Sequence, residues 1–478
     1  MAPEKIIFVS GNFNVLHPGH LRLLRFAKEC GTKLIVAVHS DRIAGSAAHV
    51  PEQLRLEGVQ SNSWVDEAFL LDEPVTGAIA RLRPDIVVKG KEHESRFNPE
   101  LEVLESYGGR LLFSSGEMTF SSVDLIRREF YYSDFRSISL PEEYLNRHGI
   151  EHQMLVSLLH RFAKLRVSVV GDLIIDEYIT CQPLGMSQED PTIVVTPVDT
   201  ARFIGGAGIV AAHAAGLGAS VLFVSVTGND TARSFALDGL AAAGVRAQLL
   251  VDESRPTTLK QRYRSLGKSL LRVSHLHQGA ISVKQQKQIL AELEQAMDNT
   301  DLLVFSDFNY GCLPQSLVNQ IIPMAKSRGV MLAADSQSSS QVGDISRFRG
   351  MDLLTPTERE ARISTRNQED GLVVLAEQLR QQADAKNILL KLGEEGLLIH
   401  VCDDSSKDTP TDRVGALNSS PKDIAGAGDS LLITSAMTLA SGGNIWEAAC
   451  LGSLAAAVQV SRVGNTPIRT KELLQEVV

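Results

Sequence analysis

The residues with the clearest chemical potential lie near the start of the chain, in Gly11-Asn12-Phe13-Asn14-Val15-Leu16-His17-Pro18-Gly19-His20. The apolar run Ile6-Ile7-Phe8-Val9 precedes them, and Leu23, Phe26, Ala27 and Cys30 follow at the i, i+3, i+4, i+7 spacing of a buried helix face. His17 and His20 therefore fall at or just before a helix N-terminus, where free N–H groups and the helix dipole attract phosphate. Two imidazoles donating there stabilise charge that builds on a phosphorus under attack. The bland alternative is a pair of surface histidines in a turn. A His-x-Gly-His between a strand and a helix argues against it.

A second constellation lies far downstream. Asp423-Ile424-Ala425-Gly426-Ala427-Gly428-Asp429 leads into Ser430-Leu431-Leu432-Ile433-Thr434-Ser435-Ala436-Met437, a helix pattern of small and apolar residues. Glycines at a helix start let the backbone approach an anion, and the N–H groups then cradle developing phosphate charge. An aspartate beside that cradle can accept the proton of an attacking hydroxyl during phosphoryl transfer. A lone Gly-Ala-Gly is a common turn; the flanking aspartates and the helix make this one specific.

The elements that must position these groups alternate apolar strands with amphipathic helices in both halves, the pattern of parallel sheets covered on both faces. A chain of 478 residues holds two or three domains. We expect one domain over 1–132, a linker with a helix over 133–163, and a second domain over 164–478. The linker centres on Tyr131-Tyr132-Ser133-Asp134 through Leu140-Pro141-Glu142-Glu143, and Glu151 to Lys164 reads as its helix. Polar β-rich pieces at Tyr178 to Arg202 and Thr258 to His275 fit a small lid sheet, the second as a hairpin turning at Ser265-Leu266-Gly267-Lys268.

A formal charge of −10 argues against nucleic acid or an anionic membrane as partner. The five cysteines (Cys30, Cys181, Cys312, Cys402, Cys450) are scattered, which suits a reducing cytoplasm and disfavours a disulfide framework or zinc site. Met1-Ala2-Pro3-Glu4-Lys5 does not open a signal peptide, and no uncharged apolar run has the length of a membrane helix.

The first half resembles the nucleotidyltransferases that carry His-x-Gly-His. Lys33 to Asp41 is similar to that family's second strand with its Ser-Asp ending, and Pro84-Asp85-Ile86-Val87-Val88-Lys89-Gly90 to its Pro-Asp-x-x-Val-Lys-Gly strand. Phe120-Ser121-Ser122-Val123-Asp124-Leu125-Ile126-Arg127-Arg128 is similar to the late segment that closes over the nucleoside triphosphate. The resemblance implies His17 and His20 as catalytic, with Gly11, Phe13, Asn14, Lys89, Gly90, Ser121 and Ser122 at the nucleotide.

The second half resembles the ribokinase-like (PfkB) sugar kinases. Val167 to Asp172 with Asp176 is similar to their opening strand and sugar-binding aspartate, and Ile204-Gly205-Gly206-Ala207-Gly208 to their Gly-Gly helix. Leu353 to Glu360 and Leu390-Lys391-Leu392-Gly393-Glu394-Glu395-Gly396 are similar to the segments around metal and ATP. The implied roles are Asp429 as base; Gly426, Ala427, Gly428, Lys391, Gly393 and Gly396 at ATP; Asp176, Gly205, Gly206, Lys260 and Arg262 at the sugar; and Glu360 ordering Mg²⁺ through water.

Both halves together resemble the bifunctional heptose-phosphate kinase/heptose-1-phosphate adenylyltransferases of ADP-heptose synthesis, with the domain order reversed. The fold class implied is α/β: a Rossmann-like nucleotidyltransferase domain, then a ribokinase-like domain with a small β lid. The function implied is ATP-dependent phosphorylation of a sugar or sugar phosphate, then transfer of AMP or CMP to the sugar 1-phosphate with release of pyrophosphate. The cofactors are Mg²⁺ and ATP, with CTP open for the transferase; the family's lids imply a homodimer. The alternative is an active transferase whose kinase-like half serves dimerisation or regulation.

Departures from the patterns bear on substrate. Asn14 replaces an aspartate, and no lysine follows Ser40-Asp41, a loss for which Arg42 or Arg55 could compensate. Ile209 and His213 replace asparagines, Tyr310 a lysine, Ser336-Gln337 a Pro-Lys, and Thr357 an asparagine. A buried isoleucine has no donor or acceptor for a hydroxyl, so these changes predict poor use of heptose 7-phosphate.

Overall fold

The computed structural model describes residues 5–14, 16, 18–45, 48, 50–90, 97–114, 138–187, 189–190, 192–265, 268–337, 343–401 and 411–477. His17, Ser121, Ser122, Arg127, Arg128 and Cys402 lie outside the described residues, as does the start of the expected linker. Two compact units are present; the first holds residues 1–135 and the second most of the chain from 136.

In the first unit β1 (Ile6–Gly11), β2 (Lys33–His39), β3 (Glu67–Leu71), β4 (Ile86–Gly90) and β5 (Arg110–Ser114) form one sheet in the order β3-β2-β1-β4-β5, and every pairing is parallel. Alternate residues feed opposite faces: Ile7 and Val9 pack with Leu24 and Ala27, whereas Phe8 packs with Ile35, Ala37 and Ile79. The chain reverses direction across the sheet between β1 and β4, so ligands are expected beyond their C-terminal ends. The His-x-Gly-His segment leaves β1 there and enters the helix Pro18–Glu29.

The second unit is built on β6 (Arg166–Gly171), β9 (Ser220–Thr227), β10 (Arg246–Val251), β13 (Leu302–Asp307), β14 (Met331–Ser336), β15 (Leu353–Leu354), β16 (Asn387–Lys391) and β17 (Leu397–Val401). Their order is β10-β9-β6-β13-β14-β15-β16-β17, parallel except for β17. A separate sheet, ordered β12-β11-β7-β8, joins β7 (Leu173–Met186), β8 (Ile193–Gly206) and the hairpin β11 (Thr258–Ser265) and β12 (Lys268–His275). This is the expected lid.

The helix expected over 151–164 is His152–Arg161 followed by a 3₁₀ turn to Lys164, and Leu155, Leu158, Leu159 and Phe162 are buried in the second unit's core. Among the described residues, no helix is long and apolar enough to cross a membrane.

Arg55 fixes the loops at the head of β1 and β2. Its fully buried guanidinium donates to Asn12 O at 2.7 Å, His39 O at 2.8 Å and Asp41 Oδ1 at 2.6 Å, and its Nε to Val50 O at 2.7 Å. Arg42 is held by Asp72 through its Nε at 2.9 Å. Arg55 is therefore not spare for substrate phosphate, whereas Arg42, 70% exposed in a surface pair, stays open to the compensating role expected of it. Replacing Arg55 by methionine orphans three backbone carbonyls and should destabilise the unit by about 3 kcal/mol or more, at roughly 1–3 kcal/mol per unmade buried bond. Hydrogen exchange along β1 and β2 should accelerate accordingly; unchanged protection would contradict the assigned role.

Candidate functional site

In the first unit Phe13 adopts φ +48° and its ring packs on His20, with centroids 5.1 Å apart. Gly11 makes room for that fold-back, since a Cβ there would sit 3.2 Å from the Phe13 ring. His20 thus lies in the first turn of its helix, directly after β1, as the spacing predicts. Asn14 lies in the connecting bend and Gly90 ends β4.

Lys89 is not an isolated cation: its Nζ donates to Glu100 Oε1 at 3.0 Å, and Glu100 Oε2 is buried without a hydrogen-bond partner. His39 Nδ1 meets Asn12 Oδ1 at 2.9 Å. Burial, then the charges of Arg55 and Lys89, hold that imidazole's pKa below its ordinary value. Glu100 belongs to no motif that the sequence singles out, and His39 lies in the Lys33 to Asp41 segment without a role read for it there.

In the second unit the residues expected to serve phosphoryl transfer converge. Gly426, at φ +76°, caps the helix Ala427–Ala440, and Asp429 lies buried in its first turn. Lys391, at the end of β16, pairs with Asp335 at 2.8 Å, and a Cβ on Gly428 would come within 3.3 Å of its Nζ. Burial and the neighbouring Asp335 carboxylate push Asp429 up to about 7, against the opposing pull of Lys391. Asp335 is likewise raised by burial, to about 6, and its Oδ1 has no hydrogen-bond partner.

Gln337 Nε2 reaches Asp429 Oδ1 at 3.3 Å. Its own backbone is held by Asp307 O, which accepts from Gln337 N at 2.8 Å, and by Asn309 Nδ2, which donates to Gln337 O at 3.1 Å. A neutral amide therefore stands beside the carboxylate where the resembled kinases carry a lysine.

Thr357 caps the helix Glu358–Thr365, accepting from Glu360 N at 3.3 Å while Glu360 Oε2 accepts from Thr357 N at 2.7 Å. Threonine keeps the capping role open to asparagine. Among the described residues no three acidic, histidine or cysteine side chains gather closely enough to ligate a metal directly. Glu360 and the unpartnered Asp335 oxygen suit a magnesium ion that keeps its waters and arrives on nucleotide phosphates.

Gly393 and Gly396 take φ +63° and +90° around the turn Gly393–Glu395, and a Cβ on Gly396 would overlap the Val414 carbonyl. Among the residues expected at the sugar, Asp176 lies on β7, with Arg262 Nη2 3.5 Å from its Oδ1. A side chain on Gly205 would overlap Asp176 Oδ2, and one on Gly206 would approach Asp172 O. Lys260 stands 5.3 Å and 5.1 Å from the ring centroids of Phe308 and Tyr310.

Asp172 serves the scaffold, accepting backbone N–H bonds from Phe308, Tyr310 and Cys312. His213, read from sequence as a lost sugar contact, is instead fully buried and accepts from Ile468 N at 3.0 Å, with burial pushing its pKa to about 3.

A family model of pfkB carbohydrate kinases matches residues 164–471. The chain belongs to that family. A cytidylyltransferase-like model matches residues 8–128. The Bifunctional protein HldE of Desulfatibacillum aliphaticivorans is 32% identical over 326 residues, covering 67% of this chain and 64% of that protein. Its Helicobacter hepaticus counterpart is 30% identical over 320 residues, at 65% and 63%. The chain thus spans slightly under two thirds of the length of these relatives.

Phosphofructokinase-2 from Escherichia coli has the same fold at TM-score 0.52 and 17% identity, covering 66% of this chain and 98% of that one. Ribokinase from Arabidopsis thaliana has it at 0.51 and 19%, with the same coverage. Residues 164–471 are the part matched by the pfkB family model, and the strand-to-helix turn after β1 falls within the cytidylyltransferase-like match.

Asp429 near 7 means that its carboxylate, the form able to take a proton, is lost as pH falls through neutrality. The acid limb of kcat/KM for ATP-dependent sugar phosphorylation should therefore centre near pH 7. Gln337→Lys places an ammonium beside the carboxylate and should move that limb about one unit or more toward acid. A limb that stays in place would contradict the contact.

Proposed function

We propose that the chain makes a nucleotide-activated sugar in two steps. The kinase half transfers the γ-phosphoryl group of ATP to a hydroxyl of a sugar or sugar phosphate, and the transferase half joins the resulting sugar 1-phosphate to AMP or CMP. The observation that carries this reading is the buried Asp429 in the first turn of a helix whose N-terminus is Gly426-Ala427-Gly428, in a chain that also matches a cytidylyltransferase-like model. A fold alone has no need of a buried carboxylic acid with no paired charge of its own.

In the first step Asp429 accepts the proton of the sugar hydroxyl as its oxygen bonds to phosphorus and the bond to ADP breaks. The N–H groups at the helix start, from Gly426 to Gly428, stabilise charge on the transferring group. Lys391 keeps the acidic cluster tolerable and stands at Gly428, beside the phosphate cradle. Glu360 and Asp335 would hold Mg²⁺ through water, and the ion supplies charge neutralisation on the nucleotide.

In the second step the sugar phosphate attacks the α-phosphorus of a nucleoside triphosphate and pyrophosphate leaves. His17 and His20 donate to phosphate oxygens in the transition state, with no covalent intermediate. Gly11, Phe13, Asn14, Lys89 and Gly90, with Ser121 and Ser122, border the nucleotide. The resembled heptose enzymes supply the analogy for an ADP-sugar; CTP remains the other candidate nucleotide.

We also propose that a second copy of the chain covers the lid. β8 is an edge strand of that sheet, and Leu184, Met186, Ile193 and Val198 are all more than half exposed. An open apolar edge of this kind invites strand pairing with an identical edge. The protein would work in the cytoplasm, consistent with free thiols at Cys30, Cys181, Cys312 and Cys450.

Paired variants test the division of labour. Asp429→Asn should abolish ATP-dependent phosphorylation of the sugar while pyrophosphate release from supplied sugar 1-phosphate continues. His17→Ala or His20→Ala should lower pyrophosphate release by about 10²-fold or more, the usual loss on removing an electrostatic stabiliser. Sedimentation should show a dimer that Val198→Lys dissociates. A wild-type chain that phosphorylates no sugar in a broad panel, yet sediments as a folded dimer, would leave the kinase half a scaffold.

A further inference from the structure

The carboxylate assigned to the sugar stands beside an amide that no motif of the chain announces. Asn465 lies in the loop after the helix Ile445–Val460 and is 8% exposed. Its Nδ2 donates to Asp176 Oδ2 at 3.4 Å, while its Oδ1 is buried without a hydrogen-bond partner. Asp176 is 6% exposed, and its Oδ1 also lacks a hydrogen bond, with the Arg262 guanidinium 3.5 Å away. Asn465 Oδ1 thus has no partner, Asp176 Oδ1 has only the long Arg262 ion pair, and both atoms are acceptors.

Their surroundings are those of the reaction centre. A Cβ on Gly426 would overlap Asn465 Oδ1, so the amide oxygen lies against the turn that opens the phosphate cradle. On the other side a Cβ on Gly205 would come 3.4 Å from Asn465 Nδ2. The Asn465 loop is itself held firmly: Gly464 N donates to Asp423 Oδ2 at 3.1 Å, and Gln459 Nε2 donates to Gly464 O at 3.0 Å and Ala425 O at 3.2 Å. Tyr178 of the lid donates to the same Asp423 Oδ2 at 3.0 Å.

Buried acceptors select a ligand that brings donors. A phosphate dianion brings none and would meet the Asp176 carboxylate. A polyol brings hydroxyls. We infer that Asn465 is a substrate-reading residue of the kinase half, its Oδ1 and Asp176 Oδ1 accepting from two hydroxyls of the sugar beside the Gly426 turn. This rests on the kinase reading above. It also gives the site an amide from a different element, where Ile209, four residues after Gly205, has none to offer. Asn465 Nδ2 orients the carboxylate, so the amide both aims its neighbour and reads the ligand.

The test is equilibrium binding to the full chain by calorimetry, with ribose, fructose 6-phosphate, heptose 7-phosphate and ATP as probes. Asn465→Ala removes the amide; Asn465→Leu keeps its approximate size but has neither donor nor acceptor, so the result does not depend on the alanine variant folding. The sugar that binds wild type most tightly should bind both variants at least tenfold more weakly, while the ATP dissociation constant moves less than twofold. Unchanged sugar affinity in both variants would overturn the role of Asn465, leave the kinase reading intact, and mean that a trapped water answers the two acceptors. Equal weakening of sugar and ATP would overturn it in favour of a loop-shaping residue. A wild-type chain that binds none of the three sugars, and consumes no ATP with any of them, would overturn the kinase reading itself and this inference with it.

Discussion

The ion pair between Lys391 and Asp335 is the constraint on which the kinase site depends. Three acids, Asp335, Glu360 and Asp429, converge on one region, and burial drives protons onto Asp335 and Asp429. Burial opposes the Lys391 charge too, yet Asp335 and Glu360 hold its ammonium above its ordinary pKa. One buried cation thereby lets a phosphate-transfer site keep several carboxyl groups, and removing either partner would strand a charge in low dielectric. The sheet makes this possible. β14 delivers Asp335 and β16 delivers Lys391 at their C-terminal ends, while Lys391 N donates to Pro356 O and ties the pair to the Thr357–Glu360 cap.

The first unit meets the same problem with a different device. Arg55 spends its donors on the backbone of Asn12, His39 and Val50 and on Asp41, so the loops beyond β1 and β2 are fixed before any ligand arrives. Both units then present a helix N-terminus at the end of a parallel strand or turn, with the charged residues behind it already paired. Preorganised donors of this kind need little rearrangement as charge develops, which is the physical basis of their effect.

Much of this was legible in the sequence because it is local. Gly11 to His20 and Asp423 to Asp429 are contiguous segments whose glycine, histidine and aspartate positions encode a strand, a turn and a helix start. The hairpin of β11 and β12 and the alternation of Ile7, Phe8 and Val9 between two cores follow from period-two patterns. What stayed hidden depends on distant pairing. Asn465 and Asp176 are 289 residues apart, and Arg55 reaches Asn12 across 43. His213 looks like a polar substitution in a sugar helix, and only the fold shows that it bonds Ile468 N. Asp335 and Lys391 each had a signal of their own, an acid closing the apolar strand β14 and a lysine in the Leu390 to Gly396 segment, but nothing in the sequence announced their pairing.

The account's central claim is that one chain runs two chemistries in series, with the phosphate installed by the first becoming the nucleophile of the second. Oxygen-18 in the γ-phosphoryl group of ATP tests this directly, with unphosphorylated sugars, unlabelled CTP, and mass spectrometry of the nucleotide sugar formed by the full chain. The account predicts that the label appears in the sugar-side phosphate of the product. A nucleotide sugar without label there, or none from any sugar although both ATP and sugar bind, would contradict it.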